Sequence, residues 1–187
     1  MSLLFITTDT TGTDPKTARL VRLTWLLTTK DGEILDQGHN LVRPYGYPIP
    51  PEAVAMHGIT TYTAMLEGRD LKNILSDFVT FGLIHAGRLI AHGLDFEKKV
   101  ILKELSVFFG EGTLDMFAKL PGTCTREISL KFCGPNDEGH TKTPSLKELY
   151  EAFFRRPLPP EIAGIFPAAT LARCYFEMRK RQIIPVP

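Results

Sequence analysis

The chain has 187 residues, 43% of them hydrophobic, with 22 Lys and Arg against 21 Asp and Glu and a formal charge of +1. This length and apolar content suit one globular domain over 1–187 with a proper core. The balanced, interspersed charge excludes a polybasic or polyacidic character and names neither a nucleic-acid nor a membrane partner. One segment departs from the balance: from Arg155 onward, six Lys and Arg stand against two Glu, Glu161 and Glu177, and a solvated helix face is the plainest reading. Cys124, Cys133 and Cys174 form neither a disulfide framework nor a paired ligand pattern and read as reduced thiols. No basic leader followed by an apolar run opens the chain, and no segment approaches the roughly 18 apolar residues of a membrane span. The expectation is a cytoplasmic protein with no membrane partner.

In chain order, Leu3 to Thr8 reads as a buried strand ended by the turn residues Gly12-Thr13-Asp14-Pro15. Leu20 to Thr29 and Ile34 to Val42 are two more strands, and Lys30-Asp31-Gly32 between them carries the Asp-Gly hairpin signal. Arg43 to Pro51, rich in Pro, Gly and Tyr, is a loop, and Pro50-Pro51 starts a short helix through Met56. A helix fits Leu71 to Ile84, with Leu71, Ile74, Leu75, Phe78 and Val79 on one stripe. Arg88 to His92 is short and apolar, a central strand. From Leu94 the helical period returns through Ile101, Leu105 and Phe108, and a further strand lies near Thr123-Cys124-Thr125. After a polar loop at 134–143, Ser145-Leu146-Lys147-Glu148 is a capping box heading a helix to about Phe154. The last helix covers roughly Ala168 to Arg181. A three-stranded meander followed by alternating helices and strands makes an α/β fold, a mixed sheet with helices on its faces.

The first strand ends in Thr7-Thr8-Asp9-Thr10-Thr11-Gly12, and strand alternation puts Thr7 and Asp9 on one face. Together with "LVRPYGYPIPPEAVAMHGIT" at 41–60, "LIAHGLDFEKKVI" at 89–101, "TPSLKELYEAFF" at 143–154 and "TLARCYFEM" at 170–178, the opening "ITTDTTGTDP" resembles the DEDDh (DnaQ-like) 3′→5′ exonucleases. The pieces occur in that family's order and span nearly the whole chain. The resemblance implies a ribonuclease H-like mixed five-stranded sheet, a three-stranded antiparallel meander plus parallel strands, flanked by helices. It also implies two-metal phosphodiester hydrolysis with Mg²⁺ or Mn²⁺, in which two cations about 3.5–4 Å apart hold the attacking and leaving oxygens and a histidine is general base.

Carried over residue by residue, that chemistry has gaps. The family's Asp-x-Glu pair falls on Thr7 and Asp9, so a neutral hydroxyl stands at the metal-bridging position. The second-motif aspartate falls on Glu97 of His92-Gly93-Leu94-Asp95-Phe96-Glu97. Asp95 is its substitute in another register, or else a helix-start residue favourable to the dipole. Anchored on 172–177, the general base and last aspartate fall on Ile162 and Pro167, and no His or Asp occurs anywhere from 155 to 187. Loss of a general base alone typically costs ~10²–10⁴ in rate. His57, His92, His85, His140 and His39 each read more simply as packed or solvated histidines than as a replacement.

The expectation is therefore a catalytically degenerate exonuclease, binding metal weakly or not at all through Asp9, Glu97 and Asp95. It would retain a groove for single-stranded nucleic acid or a nucleotide built on Thr10, Thr11, Gly12, His57, His92 and Phe96. The basic C-terminal stretch and the aromatics Phe96, Tyr45 and Tyr62 could hold a 3′ end by charge and stacking. Two other readings stay open: an active exonuclease with a rearranged site on Asp9, Asp95 and Glu97, and a protein-interaction module with no nucleic-acid role.

Overall fold

The structure is a computed structural model, and it describes residues 1–130, 143–159 and 166–184. Strand β1 (Ser2–Thr10) pairs antiparallel with β2 (Leu20–Thr29), and β2 pairs antiparallel with β3 (Ile34–Leu41). On its other edge β1 runs parallel to β4 (Arg88–Ala91), and β4 parallel to β5 (Gly122–Cys124). The order β3-β2-β1-β4-β5 is the expected mixed five-stranded sheet. At the β2–β3 turn Gly32 has φ +96° while Thr29 N–H donates to Glu33 O at 2.8 Å, the three-residue hairpin that a left-handed glycine closes.

Alternation along β1 divides the core. Leu4 and Ile6 face a cluster with Leu23, Trp25 and Leu27 of β2. Against it pack α3 (Leu71–Asp77), α4 (Leu94–Phe108) and α5 (Glu111–Lys119), through residues such as Ile74, Ile101 and Phe117, with Phe78 just past the end of α3. Leu3 and Phe5 face the opposite cluster, where α7 (Leu146–Phe154) and α8 (Pro167–Lys180) bring Tyr150, Phe153, Leu171 and Tyr175. Each fully buried Leu or Phe contributes about 1.5–3 kcal/mol relative to exposure, so β1 is held from both faces. A third, small cluster of Val21, Ile49, Ala53, Ile59 and Ala64 seats α1 (Pro51–His57) and α2 (Thr61–Glu67) beside the end of β1.

The Ser145–Glu148 capping box forms in both directions, and Pro51 opens α1, as the sequence indicates. The expected helix over Leu71 to Ile84 is interrupted. After α3 the chain makes a π turn over Phe78–Gly82 and a 3-10 turn over Leu83–His85. This lets Phe78, Gly82 and Leu83 all reach the core, which straight α-helical spacing would not. Three helices were not expected: α2, α5 and the short α6 (Thr125–Ser129). No helix among the described residues is long and apolar enough to cross a membrane.

Candidate functional site

The C-terminal end of β1 opens onto a cleft of about 660 Å³ bounded by α1, the start of α4 and α6. Asp9, Thr10, Thr11, Gly12, His57, His92, Phe96 and Glu97 all line it, so eight sequence-selected residues from three distant segments converge. Thr7 and Asp95 do not line it. Asp95, in the first turn of α4, is 77% exposed at its side chain and pairs with Lys99 at 2.6 Å. Pro167 is the first residue of α8, where its missing N–H costs nothing. Ile162, Glu161, His140 and Cys133 lie outside the described residues.

The loop after β1 is shaped by its own threonines. Thr10 Oγ1 donates to Gly12 O at 2.7 Å, and Thr11 Oγ1 accepts from Arg19 N at 2.9 Å. Across the β1–β2 ladder Asp9 is opposite Arg22. The Arg22 Nη2 and Nε lie 2.5 and 2.6 Å from one Asp9 oxygen, with side chains only 13% and 23% exposed. The first carboxylate of the cleft is thus neutralised by a guanidinium on the neighbouring strand.

Glu97 comes in from the first turn of α4 and is 8% exposed. Its Oε1 accepts from Thr8 N at 3.3 Å, while Oε2 is buried with no hydrogen-bond partner. Burial pushes this carboxyl up to about 7; the Thr8 hydroxyl and amide pull it down, nearby Asp9 raises it further and Arg126 lowers it. A second orphan is His57. Its Nδ1 accepts from Ile59 N at 3.1 Å, which leaves the proton of the neutral ring on Nε2, and Nε2 is buried with no partner in hydrogen-bonding geometry. Burial lowers the His57 pKa, against the pull of Asp9 and the Thr10 carbonyl.

His92 is a different kind of residue. Pro144 O can only accept, so His92 Nε2 donates to it at 2.8 Å, and Nδ1 accepts from Thr125 Oγ1 at 3.0 Å. Both nitrogens are satisfied inside the protein, and burial brings the pKa down to about 4. It pins the end of β4 to the segment that enters α7. Gly93 follows with φ +123°, and a Cβ there would stand 3.3 Å from the Arg126 guanidinium, which borders the cleft. Phe96 both lines the cleft and packs on the core, whereas Tyr45 and Tyr62 are exposed at 58% and 78% and stand apart from it. In the basic C-terminal stretch, Arg179 donates to Lys30 O, and Arg181 is engaged by Glu177 and Phe153 O at 2.7 and 2.9 Å.

One residue of this region, Arg22, escapes the sequence reading, and another, His39, enters it only as a packed or solvated histidine. Arg22 is a charge inside an apolar strand, which is a signal, but its partner depends on a register set by the 11–19 connection. His39 lies on β3 with Nδ1 3.0 Å from Thr24 Oγ1 and its ring 5.8 Å from that of Phe166. Burial and the Arg22 charge lower its pKa while Asp9 raises it, so His39 belongs to the Asp9–Arg22 neighbourhood. Among the described residues, no three of His, Cys, Asp or Glu come together as a metal-binding group.

No protein-family model matches the chain, and no curated protein does. Solved structures do. A product-bound exonuclease I superposes with a TM-score of 0.79 at 15% identity, covering 97% of this chain and 44% of that one. E. coli exonuclease I in complex with a dA16 oligonucleotide gives 0.78 at 16% identity, over 97% and 41%. An ExoI/SSB-Ct complex gives 0.74 at 16% identity, over 97% and 42%. The chain spans less than half the length of the exonuclease I chains it matches. Its architecture is the ribonuclease H-like fold of exonuclease I.

Proposed function

We propose that this chain is a catalytically degenerate exonuclease domain whose cleft holds a single-stranded nucleic-acid end without hydrolysing it. The observation that carries the reading is the Asp9–Arg22 ion pair at the head of the cleft. A two-metal centre needs a cluster of ionised oxygen ligands free to face the cations. Here Thr7 offers a hydroxyl, Asp9 already has a cation of its own, burial pushes Glu97 up to about 7 so that it keeps its proton well above the ordinary carboxylate range, and Pro167 is a helix-start residue. The donor set does not fit two divalent cations.

What remains suits binding. The cleft combines the Arg126 guanidinium and the Phe96 ring, groups that serve phosphate oxygens and base faces. The oligonucleotide complexes of E. coli exonuclease I favour single-stranded nucleic acid over other anions as the occupant.

The test is a 5′-labelled single-stranded oligonucleotide incubated with Mg²⁺ and with Mn²⁺, beside an Asp9→Ala control, with binding followed by anisotropy across salt. The expected result is no trimming above the control and affinity that falls with salt. Metal-dependent trimming abolished by Asp9→Ala overturns the loss of catalysis. Absence of any salt-dependent binding overturns the nucleic-acid assignment and leaves the protein-interaction reading.

A further inference from the structure

We infer that Arg22 is the residue that closes this cleft to divalent cations, a built-in counter-ion in the place of a metal, and that loss of the carboxylate at position 7 is by itself not decisive. The inference rests on the reading of the cleft given above and deepens it. Its basis is the sheet register. Asp9 faces Arg22 directly, and Thr7 faces Thr24, two residues farther along the same strand face. Diagonal neighbours on an antiparallel pair are about 7–8 Å apart, within reach of a long side chain. An aspartate introduced at position 7 would therefore meet the guanidinium that already binds Asp9.

One further acid stands beside Asp9. Glu97 keeps one buried oxygen without a partner, and it is close enough for the two carboxylates to feel each other. Arg22 itself is mostly shielded from solvent at 13% exposure, so its charge is poorly screened. A divalent cation approaching Asp9 meets a fixed positive charge in contact with the oxygen it needs. Restoring the missing ligand leaves that repulsion in place; removing the guanidinium lifts it.

The experiment is Mn²⁺ binding, read from the loss of the free-ion electron paramagnetic resonance signal, in wild type, Thr7→Asp, Arg22→Gln and the double variant, each checked for a cooperative thermal transition. The expected result is that Thr7→Asp binds no better than wild type, Arg22→Gln binds better than wild type, and the double variant binds about tenfold tighter than Thr7→Asp. If the double variant does not fold, the comparison of Arg22→Gln with wild type decides. Equal binding by Thr7→Asp and the double variant, or by Arg22→Gln and wild type, overturns the role of Arg22. Wild-type binding as tight as that of the double variant overturns the reading of the cleft underneath it.

Discussion

Glu97→Gln tests the electrostatics of the cleft without reference to any ligand. Glu97 titrates near 7 in the fold against 4.5 for an ordinary glutamate, so the fold prefers it protonated, and glutamine imitates that form. The sign follows from linkage: between these two values the native state holds the proton more tightly than the unfolded chain. Stability from this residue is complete below pH about 4.5, declines as the pH rises, and is lowest above about 7. The gap corresponds to about 3 kcal/mol, a large share of the stability of a typical domain.

Wild type alone would hide the effect. His92, brought down to about 4 from 6.5, contributes with the opposite sign: its neutral form belongs to the fold, and its contribution is lost as the pH falls below 6.5. Both proteins carry His92, so the difference between them isolates Glu97. Urea unfolding at pH 5, 6.5 and 8 should show Glu97→Gln gaining on wild type as the pH rises, by most of about 3 kcal/mol between the ends, with an unchanged m-value. A constant difference across that range refutes the argument, because Glu97 would then ionise alike in both states.

Two further substitutions test the frame that holds the cleft. A Cβ on Gly38 would fall 2.2 Å from ring carbons of Trp25, which is 2% exposed, bonded through Nε1 to Asp36 at 2.9 Å and packed edge-on against Phe78. Gly38→Ala should cost about 1–3 kcal/mol, read as a lower urea midpoint with a shift in emission of the one tryptophan. Arg19 pairs at 2.8 Å with Glu104, which is 1% exposed and otherwise accepts from Leu20 N at 3.3 Å. Arg19→Met strands that carboxylate and should cost about 3 kcal/mol, measured as the loss of unfolding free energy at neutral pH.

The sequence showed the fold where the pattern was local. The meander is legible from strand runs and the Asp-Gly turn, and α7 from its capping box. By contrast, α5 lies between Gly110 and Gly122 and buries Phe117 with little else, so its segment reads as loop. For α2, the Thr60 cap on Thr63 N is a weak signal over seven residues. The break after α3 answers to the shape of the core around Trp25 and Leu4, against which Gly82 packs. In the site, the residues drawn from the Thr10–Gly12, His57 and His92–Glu97 segments came together except Asp95, which turns to solvent and pairs with Lys99. They did so because each segment is short and its place follows from the strand or helix it borders. Arg22 did not emerge, and His39 was named without its place beside Arg22, because these neighbours lie across strands, fixed by register and not by spacing.

The cleft's charges form one set. Asp9 raises the cost of ionising the buried Glu97, and a buried acid beside another carboxylate is held charged only with cations nearby. In a metal centre the cations supply that balance. Here Asp9 is balanced by Arg22 and Glu97 by a proton, and Thr7 adds no third charge that would need an offset. On the reading proposed above, these features depend on one another. With the guanidinium present a carboxylate at position 7 meets a cation that is already paired, and without a metal Glu97 ionises only around neutral pH and above. It follows that restoring a single ligand should fail to restore a metal centre, whereas removing the resident cation changes the balance for every acid in the cleft at once.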